Sequence, residues 1–297
     1  MQGKFHSSIT RVRPVFQTLL EHDRTGSSWL SRLLALPGKG SPLVCKLEAD
    51  PGVLLPDVCK KRRYPDRTLR RKSYGIPAID LEQCFEKPFP PPTRFLRWLA
   101  AHPERMTWPM DGKRRRTFGR KTQRYREELF GQPGEQAQND AIEAALTAIE
   151  RDGASRSSRK WWAFEGFTEV DCCLETNTLL LFIEGKRTED VAPSTNWYPR
   201  RNQLLRNLEV ASAIRHEKEY AVLVIAEEPL PSLTPQEVNS GLPHLSKSER
   251  DELLTHFLGC VLWQDVCRAT AVDYVALPDT VEDVIAECRR IVPCVSS

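Results

Sequence analysis

The chain has 297 residues, of which 40% are hydrophobic and 28% charged, so one large domain or two ordinary ones can bury a substantial core. No apolar run approaches the ~18–20 residues that cross a bilayer, and the opening MQGKFHSSITRVRPVF lacks the apolar stretch of a secretory signal. The expectation is a cytoplasmic protein, nuclear if the source is eukaryotic, with no membrane partner. A net charge of +3 conceals a split: residues 1–130 hold 27 Lys/Arg against 13 Asp/Glu, and residues 131–297 hold 16 against 27. The basic half is the natural candidate for meeting a polyanion.

Residues 1–130 read as a basic, proline-containing region of short helices and irregular chain. Helices are expected at 16–22 (FQTLLEH), at 27–36 (SSWLSRLLAL) and at 94–101, the last capped by Thr93. Between and after them lie three basic clusters: KKRRY (60–64), RTLRRKSY (67–74) and KRRRTFGRKTQRYR (113–126). The third is the richest, with Lys113, Arg114, Arg115, Arg116, Arg120, Lys121, Arg124 and Arg126 interleaved with Phe118 and Tyr125. Such cations neutralise phosphates and such rings stack on bases, so this region is expected to bind nucleic acid. A nuclear import signal gives the same composition.

After GQPG (131–134) the pattern becomes regular, and 135–297 reads as a second domain. A helix is expected over 135–151, then strands at 161–167, 168–175 and 179–186, a helix from Tyr198 to Arg215, and a buried strand at 220–228. The tail is read as a helix from Ser246 or Ser248 through Val266, a strand in VDYVALP (272–278) and a closing helix in TVEDVIAECRRIV (280–292). Nine cysteines without a C-x2-C pair, and histidines not clustered near them, argue against zinc and for buried or half-buried thiols. There is no phosphate-binding glycine loop, dinucleotide turn or serine nucleophile elbow. His216 and His256 read as packing or solvent-facing residues, and Trp161 and Trp162 as core or interface residues.

Chemistry concentrates in Asp171, followed after twelve residues by Glu184-Gly185-Lys186. Alternate residues of a strand share a face, so Glu184 and Lys186 point the same way. With Thr176-Asn177 as a two-residue turn, Asp171 pairs with Phe182 and lies diagonally beside Glu184. Burying two carboxylates together is costly unless a cation compensates. A hard divalent ion does so with oxygen ligands, and a neighbouring lysine can then assist the attacking water or the phosphate charge.

The run VDCCLETNTLLLFIEGK resembles the signature of the PD-(D/E)XK nuclease superfamily, the restriction-endonuclease-like fold. That signature is an acid on one strand and Glu/Asp-x-Lys on the next. The resemblance implies an α/β fold with an αβββαβ core, the order read above for 135–228, which is about a third of the chain. It further implies Asp171 and Glu184 as ligands of Mg2+ or Mn2+, Lys186 as the catalytic lysine, and DNA as substrate. Val170 stands where the family has proline. Glu143 matches an acid that many members carry on the first helix, with Glu135 almost as good a match. Some branches add Gln-x3-Tyr on the helix after the lysine; Gln203 fills the first place, and Asn207 stands where tyrosine would be. Two rivals remain: a non-catalytic nucleic-acid-binding or scaffold protein on a degenerate nuclease fold, and a nuclease active only within a transposition, repair or phage-defence complex.

Overall fold

The computed structural model describes residues 6–49, 87–89, 91–105, 165, 168–188, 190–192 and 198–284, with isolated positions at 136, 139, 140, 143, 144, 147 and 286. The three basic clusters, Lys113 to Arg126 included, lie outside the described residues, as do Trp161 and Trp162.

Four strands form the central sheet, in the order β3-β4-β5-β6: β3 (Cys172–Glu175), β4 (Leu179–Gly185), β5 (Glu219–Ala226) and β6 (Phe257–Leu262). β3 and β4 are an antiparallel hairpin, whereas β4, β5 and β6 run parallel. A separate two-stranded ribbon pairs β1 (Lys87–Phe89) with β2 (Thr168–Val170). The fold is therefore mixed α/β with a mostly parallel sheet. No described helix is long and apolar enough to cross a membrane.

Both faces of the sheet are covered, which is why β4 and β5 are almost continuously apolar rather than alternating. Leu181, Ile183, Leu223 and Ile225 face a layer made by α1 (Arg13–His22), α2 (Leu30–Ala35), α3 (Ser41–Ala49) and α8 (Trp263–Thr270). The helices of the first fifty residues thus share their core with the sheet of the acidic half. α1 follows a π-turn at Ser8–Val12, and Val12, Val15, Phe16 and Leu19 are all buried. On the opposite face Leu180, Phe182, Tyr220 and Val222 meet Leu204, Leu205 and Leu208 of α5 (Gln203–Ile214). Two short helices, α6 (Pro235–Gly241) and α7 (Lys247–Thr255), extend this layer through Val238 and Leu253. Each opens with a reciprocal capping box, Thr234 with Glu237 and Ser246 with Glu249. The remaining helix, α4 (Thr93–Ala101), presents Phe95 to the Arg201 guanidinium at 3.9 Å.

Several expectations need correction. The anticipated long helix through Val266 is interrupted: Phe257–Leu262 is strand β6, and only α7 and α8 are helical. Gly259, at φ 103°, sits where the β5–β6 register shifts, a backbone that a helix interior does not accept. Residues 272–278 form no strand but a turn-rich segment after the left-handed cap at Ala271. α5 begins at Gln203 rather than Tyr198, because Asn202 caps it by accepting from the Leu205 N–H. Thr93 starts α4 without a side-chain cap, since Pro92 takes the capping position. The described positions 136, 139, 140, 143, 144 and 147 are helical, in agreement with the expected helix, as are positions 281–284 with the closing one. Cys172, Cys173 and Cys267 are buried in the core, as expected of thiols used as small hydrophobes.

Candidate active site

β4 emerges from the core at the end of its apolar run, delivering Glu184, Gly185 and Lys186 to the carboxyl edge of the parallel strands. Open α/β sheets characteristically bind ligands at that edge. Asp171 arrives from the other side of the hairpin, at a bend that separates β2 from β3. The register differs from expectation by two residues: Cys172 pairs with Ile183 and Cys173 with Phe182, so the next pair outward is Asp171 with Glu184. The cause is the turn. Thr176 Oγ1 accepts from both Thr178 N (3.1 Å) and Leu179 N (2.8 Å), and Thr176 N donates to Leu179 O at 2.7 Å, so the turn falls at Asn177–Thr178, one residue later than the expected Thr176–Asn177. The shift leaves Asp171 just beyond the end of the ladder and close enough to Glu184 for the two carboxyls to interact directly.

Glu184 is 1% exposed and Lys186 7%. Lys186 Nζ donates to Glu184 Oε1 at 2.8 Å and to Gln203 Oε1 at 3.1 Å, while Gln203 Nε2 donates to Glu184 Oε1 at 2.6 Å. One turn further along α5, Asn207 Nδ2 donates to the other oxygen, Glu184 Oε2, at 3.2 Å. Gln203 and Asn207 reach the same carboxylate because residues four apart share a helix face. Asp171 Oδ2 accepts from the Gly185 N–H at 2.9 Å. Burial first, and the neighbouring Glu184 charge second, push the Asp171 carboxyl well above the usual carboxylate range, against the pull of Lys186 and the Gly185 amide.

The backbone between Glu184 and Lys186 is clamped on three sides. Ser7 Oγ donates to Gly185 O at 2.8 Å, Trp263 Nε1 donates to Lys186 O at 3.0 Å, and Lys186 N donates to Ile225 O at 2.8 Å. Residue 185 must be glycine here, since a Cβ would stand 2.3 Å from Val12 Cγ2 and 3.2 Å from the Trp263 ring. Beyond the clamp, Arg187 bonds Asp279, and the Glu227 carboxylate is shared by Arg11 and Tyr274 at 2.5 Å each.

The structure therefore brings together Asp171, Glu184, Lys186 and Gln203. Glu143 is an exposed helical position and does not join them. Among the described residues no group of three or more His, Cys, Asp and Glu side chains gathers at one point, so this site has two carboxylates. Two carboxylates pressed together, with a single ammonium beside them, fit a divalent cation by charge and by ligand chemistry. Asn207, a departure from the Gln-x3-Tyr pattern, proves to be part of the cluster. Its signal in the sequence was an amide among Leu204, Leu205 and Leu208, on the apolar stripe of α5.

A second buried charge network lies around the start of α5. Arg201, 0% exposed, bonds Glu165 at 3.2 Å and Glu209 at 2.5 Å. Arg206 also meets Glu165, at 3.0 Å, and His244 Nε2 meets Glu209 at 2.6 Å. Burial alone would raise the Glu209 carboxyl, but Arg201 and His244 outweigh it and hold it below its ordinary range. Sequence reasoning did not find this network, since its members are scattered over eighty residues.

No protein-family model, curated protein or solved structure matches the chain.

Proposed function

We propose that the chain is a metal-dependent nuclease of the restriction-endonuclease-like kind, hydrolysing phosphodiester bonds, with DNA the favoured substrate. The observation that carries this reading is the Asp171–Glu184 pair, interacting at the carboxyl edge of β4 with the Lys186 ammonium 2.8 Å from Glu184. The order β3, β4, α5, β5 in and on the central sheet supports it, as does the charge of residues 1–130, where the clusters of Lys113 to Arg126 would grip the phosphate backbone.

Asp171 and Glu184 would hold Mg2+ or Mn2+. That ion would supply Lewis acidity toward a phosphoryl oxygen and a lowered pKa for the water attacking it. Gln203 keeps the Lys186 ammonium and the Glu184 carboxylate in fixed relation by bonding both. Lys186 Nζ then carries the proton or positive charge that the reaction needs beside the phosphate. The Trp263 and Ser7 bonds hold the backbone from which both side chains project.

The test is cleavage of single- and double-stranded DNA and RNA by the purified chain with Mg2+ or Mn2+. Cleavage that Lys186→Ala and Glu184→Gln abolish supports the reading, and absence of any such cleavage overturns it. A non-catalytic nucleic-acid binder instead predicts salt-sensitive binding with no hydrolysis, unaltered by Asp171→Ala.

A further inference from the structure

Asn207 differs from the other polar members of the cluster in having one committed atom and one idle atom. It is 0% exposed, one turn along α5 from Gln203, and its Nδ2 donates to Glu184 Oε2 at 3.2 Å. That bond fixes which way the amide faces, because the reversed amide would set its oxygen against a carboxylate oxygen. Its Oδ1 is fully buried and has no hydrogen-bond partner among the described residues. Buried polar atoms are almost always satisfied, and one that is not calls for a ligand or an ion. If holding Glu184 were the only task, a donor alone would do; the orphaned oxygen is a separate observation.

We infer that Asn207 Oδ1 is a third oxygen donor to a divalent cation shared with Asp171 and Glu184. The inference rests on reading the hairpin as a metal site. Hard cations take six or more oxygen ligands, side-chain amide oxygens among them. Among the described residues this site offers two carboxylates and no third acid. A neutral amide oxygen adds a ligand without adding a third negative charge. In this arrangement the nitrogen of Asn207 fixes the Glu184 carboxylate while its oxygen meets the cation.

The experiment titrates the full chain with Mn2+ alone, without nucleic acid, following unbound Mn2+ by electron paramagnetic resonance. Asn207→Leu conserves volume and removes both functions; its Mn2+ affinity should fall about 10-fold or more, with the circular dichroism spectrum of wild type. Asn207→Asp keeps the oxygens and at pH 8 should bind Mn2+ at least as tightly as wild type. A folded Asn207→Leu protein with affinity within about twofold of wild type overturns the inference, given the loss expected for a ligand. If that variant does not fold, Asn207→Asp binding more weakly than wild type overturns it instead. Asp171→Ala is the control that separates the two readings. Loss of Mn2+ binding in Asp171→Ala with none in Asn207→Leu removes only Asn207 from the site. A wild type that binds no Mn2+, or binding that Asp171→Ala leaves intact, overturns both this inference and the nuclease proposal.

Discussion

Two buried charge clusters flank helix α5, and they resolve the same physical problem differently. Around Arg201, each carboxylate meets a cation or an imidazole: Glu165 has Arg201 and Arg206, and Glu209 has Arg201 and His244. At Gln203 and Asn207, two carboxylates share one ammonium, and Asp171 is driven toward its protonated form. Removing charges from water costs several kcal/mol per ion unless partners compensate. The first cluster supplies its compensation from within the fold, whereas in the second, among the described residues, one ammonium is in hydrogen-bond contact with the carboxylate pair. The lesson is that burial of charge does not itself mark a site; imbalance does.

That contrast can be broken from either side. The largest effect should come from Arg201→Ala, which strands Glu165 and Glu209 without their shared cation. Stability to urea should drop by about 3–5 kcal/mol, and a drop below 1 kcal/mol would show that the network is not what holds α5 in place. Next is Lys186→Ala, which should slow Mg2+-dependent cleavage by about 100- to 1,000-fold while the protein still melts cooperatively. A variant of near-normal rate would move the catalytic cation elsewhere.

Gly185→Ala tests the clamp between the two functional side chains. Its Cβ would strike Val12 Cγ2, and overpacking of this kind costs about 1–3 kcal/mol. Combination with Val12→Ala should restore part of the loss, and a Gly185→Ala protein as stable as wild type would contradict the close approach. The subtlest change is Asp171→Asn, measured without divalent metal. A carboxyl whose folded pKa is raised contributes its stability below the unfolded value, near pH 4, and loses it as pH rises through the folded value. The asparagine variant should therefore gain in melting temperature over wild type as pH rises from 4 to 8, and match it at pH 4. A difference that does not change with pH would remove the strained carboxyl from the comparison.

Much of the site was legible because strand geometry has a period of two: Glu184 and Lys186 share a face, and the acid fourteen residues before Gly185 lies across the hairpin. Its register was not legible, because the side chain of Thr176 decides where the turn falls and a hydroxyl that bonds two amides leaves no mark in hydrophobic patterning. Asn207 was passed over for a related reason: comparison with a pattern that has tyrosine there made it a departure, while its place on the buried stripe of α5 made it a contributor. The parallel strand at Phe257–Leu262 was hidden by its neighbours. Helical sequences adjoin it on both sides, and only Gly259 hinted that the backbone changes form. The Arg201 network depends wholly on distant pairing, which local pattern does not encode.

The clamp on β4 also sets a timetable. Ser7 reaches Gly185 across 178 positions and Trp263 reaches Lys186 across 77. A nascent chain leaving the ribosome carries Asp171, Glu184 and Lys186 well before the indole that secures their backbone has been synthesised. Until then the strand end has its bonds to Ser7 and to the Ile225 carbonyl but lacks the one to the indole. The full brace thus comes late in biosynthesis, and a chain terminated anywhere before Trp263 would carry Asp171, Glu184 and Lys186 without the indole bond that secures their backbone.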